Sequence, residues 1–324
     1  MRVLITGGAG FIGSNLVAYH LKMGDEVIAV DDMTTGKAQN LDPFTKNKKF
    51  TFYQYDLNTW PDLGKVLTTV DRVYHLAAVV GLFNVIDNPV NTLKVNINTT
   101  LRLYELIHAQ SIRPLVIIAS SSEVYGNQAG LLTEKSPLIL ANSFKNQAAY
   151  AISKLCSESI ALSYFDLWKL PCVVLRIFNT IGFNQTGQYG MVLARFVKQA
   201  LNNEDITIFG DGKQKRAFCD VRDLVNLIEV VASNPEAIGQ IVNIGNNRVI
   251  SMMALAKLVK EMSDSESNLV YVPLKDVYDN EDLFIKERKP DLAKLLSYTD
   301  YHFQWTLEKT LKDLICYEKE QASK

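Results

Sequence analysis

Cysteine and histidine are scarce in this sequence, and no two of them lie at the spacing of a metal site. The cysteines are Cys156, Cys172, Cys219 and Cys316; none form a C-x-x-C pair, and the four histidines are scattered. This pattern argues against a zinc-finger type of centre and is typical of reduced thiols in a cytosolic protein. We therefore expect no structural metal and a cytoplasmic location.

The sequence also lacks long apolar runs and an excess of charge of either sign. Lys and Arg number 34 and Asp and Glu 35, so the net charge is -1, and no basic block stands out. This balance argues against nucleic acid and anionic membrane as partners. The apolar runs are of strand length, below the roughly 20 residues of a membrane span. No charged lead precedes a long apolar segment at the N-terminus, so we expect no signal peptide.

What the sequence does contain is a regular alternation of apolar runs and segments of helical period. The runs at 2–6, 26–30, 50–55, 72–78, 114–120 and 172–178 are continuously apolar, and helical segments occupy 11–23, 89–110 and 147–168. Continuous runs indicate strands buried on both faces of a parallel sheet. The alternation predicts an α/β protein with a Rossmann-type, doubly wound parallel sheet.

The second half of the chain has a different composition and shorter predicted elements. Polar stretches rich in Gly and Asn separate shorter elements, with helices predicted near 191–202, 221–233, 251–262 and 306–318. We expect a nucleotide-binding domain at 1–178, to which some later segments return. A smaller C-terminal α/β lobe at 179–324 would then bind substrate.

A glycine-rich loop follows the first predicted strand and opens the first predicted helix. TGGAGFIG fits G-x-G-x-x-G from Gly8, and G-x-x-G-x-x-G from Gly7. Glycines there permit a tight turn and a close approach to a pyrophosphate, which the helix N-terminus attracts. Asp31, which lies 18 residues past Gly13 at the end of the second strand, suits the adenosine ribose hydroxyls. With Asp32, it favours NAD over NADP.

A second motif combines a tyrosine and a lysine with a run of serines. Tyr150 and Lys154 are four residues apart in a predicted helix and so share one face. An ammonium near a phenol favours the phenolate, which would let Tyr150 act as a general base on a sugar hydroxyl. IIASSSEVYG, upstream, places serines and Glu123 at the end of a predicted strand.

These motifs together resemble a known family. TGGAGFIG, Asp31, HLAA (75–78), SSSEVYG (120–126), YAISK (150–154) and RIFNTIG (176–182) keep the order and spacing of the extended short-chain dehydrogenase/reductase family. The resemblance is closest to its NAD-dependent nucleotide-sugar epimerase/dehydratase branch. It implies bound NAD, oxidation of a UDP-sugar at C4, and a homodimer formed through the helices near 89–110 and 147–168.

The resemblance also implies roles for individual residues. Ser121 would bind the sugar 4-hydroxyl and share its proton with Tyr150, while Lys154 would tune Tyr150 and hold the nicotinamide ribose. The implied cofactor residues are Gly7, Gly10, Phe11, Ile12, Gly13, Asp31, Asp32, Asp56, Leu57, Ala77, Ala78, Asn98, Tyr150 and Lys154. The implied substrate residues are Ser122, Asn179, Phe209, Arg216 and Arg288, with the arginines on the diphosphate and Phe209 against the base.

The reaction itself is less sharply indicated. Ser122-Glu123 stands where the family's dehydratases carry Asp-Glu, and it resembles UDP-glucuronate decarboxylases. The stretch 183–201, in contrast, resembles bacterial UDP-sugar 4-epimerases. Relatives that handle uronic acids often carry an Arg where this chain has Asn184 in Gly182-Phe183-Asn184; Arg195 is an alternative partner for such a carboxylate.

From these features the sequence favours a UDP-sugar 4-epimerase that oxidises C4 transiently and returns the hydride to the other face. Glu123 would then belong to the catalytic set without an assigned action. The alternatives are a UDP-glucuronate decarboxylase and then a 4,6-dehydratase. A non-catalytic NAD-binding regulator is a rival of another class, against which the intact Ser121, Tyr150 and Lys154 argue.

Overall fold

The computed structural model describes residues 1–128, 130–140, 148–185, 191–277 and 285–322. The strands are β1 Arg2–Thr6, β2 Glu26–Asp31, β3 Phe50–Gln54, β4 Arg72–His75, β5 Leu115–Ser121, β6 Leu131–Leu132, β7 Cys172–Ile177, β8 Thr180–Ile181, β9 Ile206–Phe209, β10 Lys215–Ala217, β11 Cys219–Asp220, β12 Gln240–Ile244, β13 Val249–Ser251, β14 Leu269–Val272 and β15 Glu287–Pro290. The helices are α1 Phe11–Lys22, α2 Leu63–Leu67, α3 Leu82–Asp87, α4 Pro89–Ala109, α5 Ala148–Trp168, α6 Val192–Leu201, α7 Val221–Ala232, α8 Met252–Met262, α9 Ala293–Ser297 and α10 Leu307–Ala322.

Seven parallel strands form the central sheet in the order β12-β7-β5-β4-β1-β2-β3. The chain builds outward from β1 to β3 on one side, and then crosses to β4 and builds outward on the other. The order therefore reverses between β1 and β4. In open α/β sheets such a reversal leaves a crevice at the carboxyl ends of the strands, where ligands bind.

Both faces of this sheet are buried, because side chains alternate between them along each strand. Val3 and Ile5 of β1 face a cluster that includes residues of α1 and α7. Leu4, between them, faces the opposite cluster, to which α4 and α5 contribute. This two-sided burial explains why the strands are continuously apolar, and it confirms the predicted Rossmann-type fold.

The second half of the chain builds a separate apolar cluster around α6, α8 and α10, with Phe196, Ile208 and Leu255 at its centre. Beside it, a small sheet runs in the order β13-β10-β15-β6. Within that sheet Arg216 of β10 and Arg288 of β15 are paired residues of parallel strands. Two residues far apart in sequence are thereby brought side by side.

Each predicted strand and helix is present, with its ends shifted at a few places, whereas several short elements were not predicted: α2, α3, α9, β6, β8, β9, β10, β11, β13, β14 and β15. β4 ends at His75 instead of continuing to 78, and the Leu76 amide turns to donate to the Thr6 carbonyl. α10 continues to Ala322, and α5 begins at Ala148, residue 147 being outside the described ranges. β12 was not predicted; it joins the main sheet from the second half. The domain boundary at 178 and the homodimer stay predictions, although α4 and α5 do pack together.

Within the described ranges, none of the helices has the length and apolar character needed to cross a bilayer.

Candidate active site

A cavity of about 810 Å³ opens at the carboxyl ends of the central strands and extends to the small sheet. Its walls come from the glycine loop, the ends of β2, β4, β5 and β7, the start of α5, and β10 and β15. The fold thus gathers the sequence-predicted residues into one place. Those that line the cavity are Gly7, Gly10, Phe11, Ile12, Gly13, Asp31, Asp32, Asp56, Leu57, Ala77, Ala78, Ser121, Ser122, Glu123, Tyr150, Lys154, Asn179, Phe209, Arg216 and Arg288.

The glycine loop is too tightly packed to accept side chains. Gly7 has φ +69°, and a Cβ built on it would lie 2.9 Å from the Ala77 amide nitrogen. A Cβ on Gly13 would lie only 2.1 Å from the Gly7 carbonyl oxygen. Helix α1 begins at Phe11 with Gly10 as its N-cap and without a side-chain cap. Its first N–H groups therefore remain available to an anion in the cavity.

Asp31 ties the end of β2 to this loop. Its carboxylate accepts from the Ala9 amide at 3.0 Å and from the Met33 amide at 2.9 Å. Burial raises the pKa of the Asp31 carboxyl, against these amide hydrogen bonds, which lower it. A carboxylate has about four acceptor positions. Asp31 thus keeps acceptor capacity for the hydroxyls of a ribose.

The Ser–Tyr–Lys group is assembled from β5 and α5. The Ser121 hydroxyl accepts from the Glu123 amide at 3.2 Å and contacts the Tyr150 phenol. Lys154 is 6% exposed, and its Nζ donates to the Ala119 carbonyl at 2.8 Å. That Nζ lies 5.8 Å from the centre of the Tyr150 ring. The three side chains therefore face the same part of the cavity.

The two ionisable members of this group are shifted toward their neutral forms. Burial raises the pKa of Tyr150 to about 12; the Ser121 hydrogen bond lowers it and the charge of Glu123 raises it. Burial lowers the pKa of Lys154 to about 8, opposed by the charge of Glu158. The sequence led us to expect a lowered Tyr150 pKa, and in this structure burial outweighs that effect. The positively charged nicotinamide of bound NAD would favour the phenolate.

Glu123, which follows the carboxyl end of β5, forms an ion pair. Both of its carboxylate oxygens accept from the Arg288 guanidinium, in a two-point ion pair. Loss of solvent raises the pKa of Glu123, but the charges of Arg288 and Arg216 outweigh it, so the pKa lies below its ordinary value. The Arg288 side chain is 2% exposed and that of Glu123 46%. Glu123 thus presents a charged carboxylate to the cavity.

Comparison with known proteins shows the family to which the chain belongs. A sequence model of the NAD dependent epimerase/dehydratase family matches residues 3–245. The chain belongs to this family. A UDP-N-acetyl-alpha-D-glucosaminuronate decarboxylase of Bacillus cytotoxicus is 32% identical over 98% of both chains. UDP-glucuronic acid decarboxylase 1 of Arabidopsis thaliana is 31% identical over 97% of this chain and 69% of its own.

A solved structure is similarly close. UDP-glucuronic acid 4-epimerase from Bacillus cereus, in complex with UDP-glucuronic acid and NAD, superposes with a TM-score of 0.88. It is 28% identical, over 99% of this chain and all of that one. The protein is thus an NAD-dependent enzyme of the nucleotide-sugar epimerase/dehydratase family. The shape of the glycine loop and the acceptor capacity of Asp31 fit NAD.

One predicted cofactor residue is displaced from the site. Asn98 is exposed on α4 and does not line the cavity. The asparagine that supports the site is Asn96, which is 2% exposed. Its side chain accepts from the Val79 amide at 2.7 Å and donates to Ser153 at 2.9 Å. Asn96 thereby joins α4 to the loop after β4 and to α5 of this epimerase-family enzyme.

At Phe209 the cavity contains an arrangement that the sequence did not indicate. The Arg195 guanidinium lies over the Phe209 ring, 3.8 Å from its centre, so one face of the ring is covered. The opposite face is then the one that a base would use. Nearby, Gln214 donates to the Phe209 carbonyl at 2.9 Å. Among the described residues its Oε1 has no hydrogen-bond partner and is buried, which suits a donor on a ligand.

Sequence reasoning also missed a buried ion pair behind Lys154. Glu158 and Arg176 are 4% and 2% exposed, and the Ser120 hydroxyl donates to the same carboxylate. The signal was present: Glu158 is four residues after Lys154, as Lys154 is after Tyr150. Lys154 and Glu158 are two charged side chains on a buried face of α5. Charged residues are seldom buried without a partner, so their presence indicates a role beyond packing.

Proposed function

We propose that this enzyme decarboxylates a UDP-linked uronic acid after oxidising it at C4. The observation that carries the proposal is the Glu123–Arg288 ion pair beside Ser121 in the cavity. Epimerisation at C4 requires only hydride transfer and rotation of the sugar. Decarboxylation also requires control of a carboxylate and of a proton at C5. The decarboxylases among the relatives support the same choice.

The chain's own residues supply the acid–base chemistry. Tyr150 takes the proton of the C4 hydroxyl, and Ser121 holds that hydroxyl by a hydrogen bond. Bound NAD would supply the redox chemistry, as acceptor and then donor of the C4 hydride, so that the overall reaction would be redox-neutral. A ketone at C4 makes the C6 carboxylate that of a β-keto acid, which loses CO₂ and leaves an enolate. Protonation at C5 and return of hydride to C4 give a UDP-pentose.

Glu123 and Arg288 would act on the C6 end of the sugar, which changes the diphosphate role that the resemblance implied for Arg288 because Arg288 is paired with Glu123. Because Arg288 is held by Glu123, it presents less net charge than a lone arginine. A strongly bound carboxylate would be slow to leave as neutral CO₂, so a compensated arginine suits orientation better than tight binding. Arg216, paired with Arg288 across the small sheet, remains for the diphosphate.

Product analysis tests this proposal directly. We would incubate the purified protein separately with UDP-glucuronate, UDP-N-acetylglucosaminuronate, UDP-glucose and UDP-N-acetylglucosamine. Products would be separated by chromatography and weighed by mass spectrometry. A product lighter by one CO₂ from either uronate supports the proposal, and the preferred uronate identifies the C2 substituent. A product of unchanged mass from every accepted substrate would instead mean a 4-epimerase.

The 4-epimerase keeps one observation in its favour. Asn184, which stands where uronate-handling relatives often have an arginine, donates to Ser14 at 3.0 Å and has φ +70°. This position is thus used to join the loop after β8 to α1. It offers no cation to a C6 carboxylate.

Glu123→Gln tests the part that Glu123 plays in decarboxylation. The amide keeps the size of the side chain but loses the charge and the two-point ion pair that orients Arg288, so we expect CO₂ release to fall about 100-fold, as for a misplaced substrate group. Glu123→Asp, which keeps the charge, should lose less. Because Arg288 is buried, circular dichroism must show that each variant is folded. An undiminished rate of CO₂ release in the folded Gln variant would remove Glu123 from the mechanism.

A further inference from the structure

Two consecutive residues of β5 hold two consecutive turns of α5. The Ala119 carbonyl accepts from Lys154 Nζ at 2.8 Å. The next residue, Ser120, donates from its hydroxyl to Glu158 Oε1 at 2.5 Å. Because Lys154 and Glu158 are four residues apart, they occupy one face of the helix. The strand therefore fixes the lysine and the glutamate as a unit.

Strand β7 completes this arrangement from the other side. Arg176 is the register partner of Ser120 in the sheet. Its Nε donates to Glu158 Oε1 at 2.9 Å and its Nη2 to Oε2 at 2.7 Å. Both side chains are almost wholly buried. Removing two charges from water is costly and seldom gains stability over apolar residues, so a role beyond stability is expected of the pair.

We propose that Glu158, fixed by Ser120 and Arg176, is a positioning residue: it anchors α5 to β5, so that Lys154 Nζ stays on the Ala119 carbonyl, and its carboxylate favours the ammonium during C4 oxidation. Glu158 does not line the cavity, so it acts through Lys154 and not on the substrate. The proposal rests only on the oxidation step that decarboxylases and epimerases share. It therefore stands whichever of the two reactions the enzyme performs.

The electrostatics of the surroundings agree with this geometry. Burial alone drives Lys154 toward the neutral amine, and the charge of Glu158 is what opposes it. His75 is itself neutral, because burial and the Lys154 charge lower its pKa to about 3. The groups that face this part of α5 from the elements packed against it are His75 of β4, Asn96 and Thr100 of α4, Glu123 after β5 and Arg176 of β7.

The pH profile of turnover tests the proposal, using the nucleotide sugar that the enzyme accepts. Turnover should fall on the alkaline side as Lys154 loses its proton. In Glu158→Gln we expect this limb to move to lower pH by about one unit, because the opposing charge is gone. In Glu158→Asp the charge remains, so the alkaline limb should stay near the pH that it has in the parent enzyme, although kcat falls. A limb that does not move in Glu158→Gln would overturn the proposal.

A second variant is needed as a control, because Glu158→Gln leaves Arg176 buried without its partner and could misfold. Changing Glu158→Gln and Arg176→Gln together removes both charges, and the limb should still move downward, by less. A readout without substrate is the free energy of unfolding. Burial places the folded pKa of Lys154 below its ordinary value, so stability rises with pH between them. That rise should begin at lower pH in Glu158→Gln, and an unchanged onset would refute the electrostatic role.

Discussion

Whether Gly13→Ala raises or lowers the free energy of unfolding depends on one contact. In a helix interior, Gly→Ala is ordinarily stabilising by about 1 kcal/mol. In α1, however, the new Cβ would lie 2.1 Å from the Gly7 carbonyl oxygen and 2.9 Å from Gly8 Cα. Both are backbone atoms, so the loop must move by about 1 Å to restore an ordinary contact. Overpacking costs about 1–3 kcal/mol, and a 2.1 Å approach to a backbone oxygen belongs at the upper end, so after the gain of about 1 kcal/mol we expect a net loss of about 2 kcal/mol.

The matched control is Gly64→Ala in α2. There the new Cβ would meet Gln110 Nε2 at 2.7 Å, and the tip of a flexible side chain can turn away. We expect the control to be neutral or stabilising, within about 1 kcal/mol. Urea denaturation of the NAD-free proteins measures both changes, and thermal melting should place Gly13→Ala about 3 °C below the parent.

The same movement should weaken NAD binding, because the glycine loop carries the N–H groups of α1 toward the cavity. NAD retained after purification can be released by denaturation and measured by chromatography. Gly64→Ala should retain as much as the parent and Gly13→Ala much less. If Gly13→Ala has the same free energy of unfolding as the parent and retains as much NAD, the glycine loop can move without cost and is not tightly packed.

Three further changes test other parts of the structure. Tyr150→Phe should abolish turnover while NAD remains bound; substantial residual turnover would exclude Tyr150 as the base. His75, with a pKa of about 3 against an ordinary 6.5, takes up a proton on unfolding between those values. Stability should therefore fall with falling pH, by roughly 5 kcal/mol over the window, and His75→Gln should flatten this slope in urea titrations. Asp223 accepts from the Tyr301 hydroxyl and the Gln304 and Trp305 amides. Asp223→Asn should therefore cost about 3 kcal/mol, and an unchanged urea midpoint would contradict that.

Short contiguous motifs made most of the site predictable. The glycine loop is one contiguous motif between β1 and α1. Tyr150 and Lys154 lie on one helix, where spacing alone fixes which residues share a face. The contact between Glu123 and Arg288 joins residues 165 apart in sequence. It depends on how the small sheet sits against β5, which no local pattern encodes.

Two misses have simple physical causes. Asn98 was expected where Asn96 lies; two residues turn a helix by about 200°, so the wrong choice points to the opposite side. β12 was not predicted because it is short and carries the polar Asn243 at a buried position. That side chain accepts from the Tyr125 hydroxyl at 2.6 Å and donates to the Leu132 carbonyl at 2.9 Å, contacts that only the folded chain reveals.

The late position of β12 has a consequence for synthesis on the ribosome. β7 has β5 on one side and β12 on the other, yet residues 240–244 are translated well after β7 itself. Until they emerge, the nascent sheet carries an apolar strand with one open edge, and such edges recruit other chains. A fragment that ends at residue 178 should therefore aggregate. Residues 217–324 contribute a single strand to the central sheet, but they also contribute α7, whose apolar residues cover one face of that sheet.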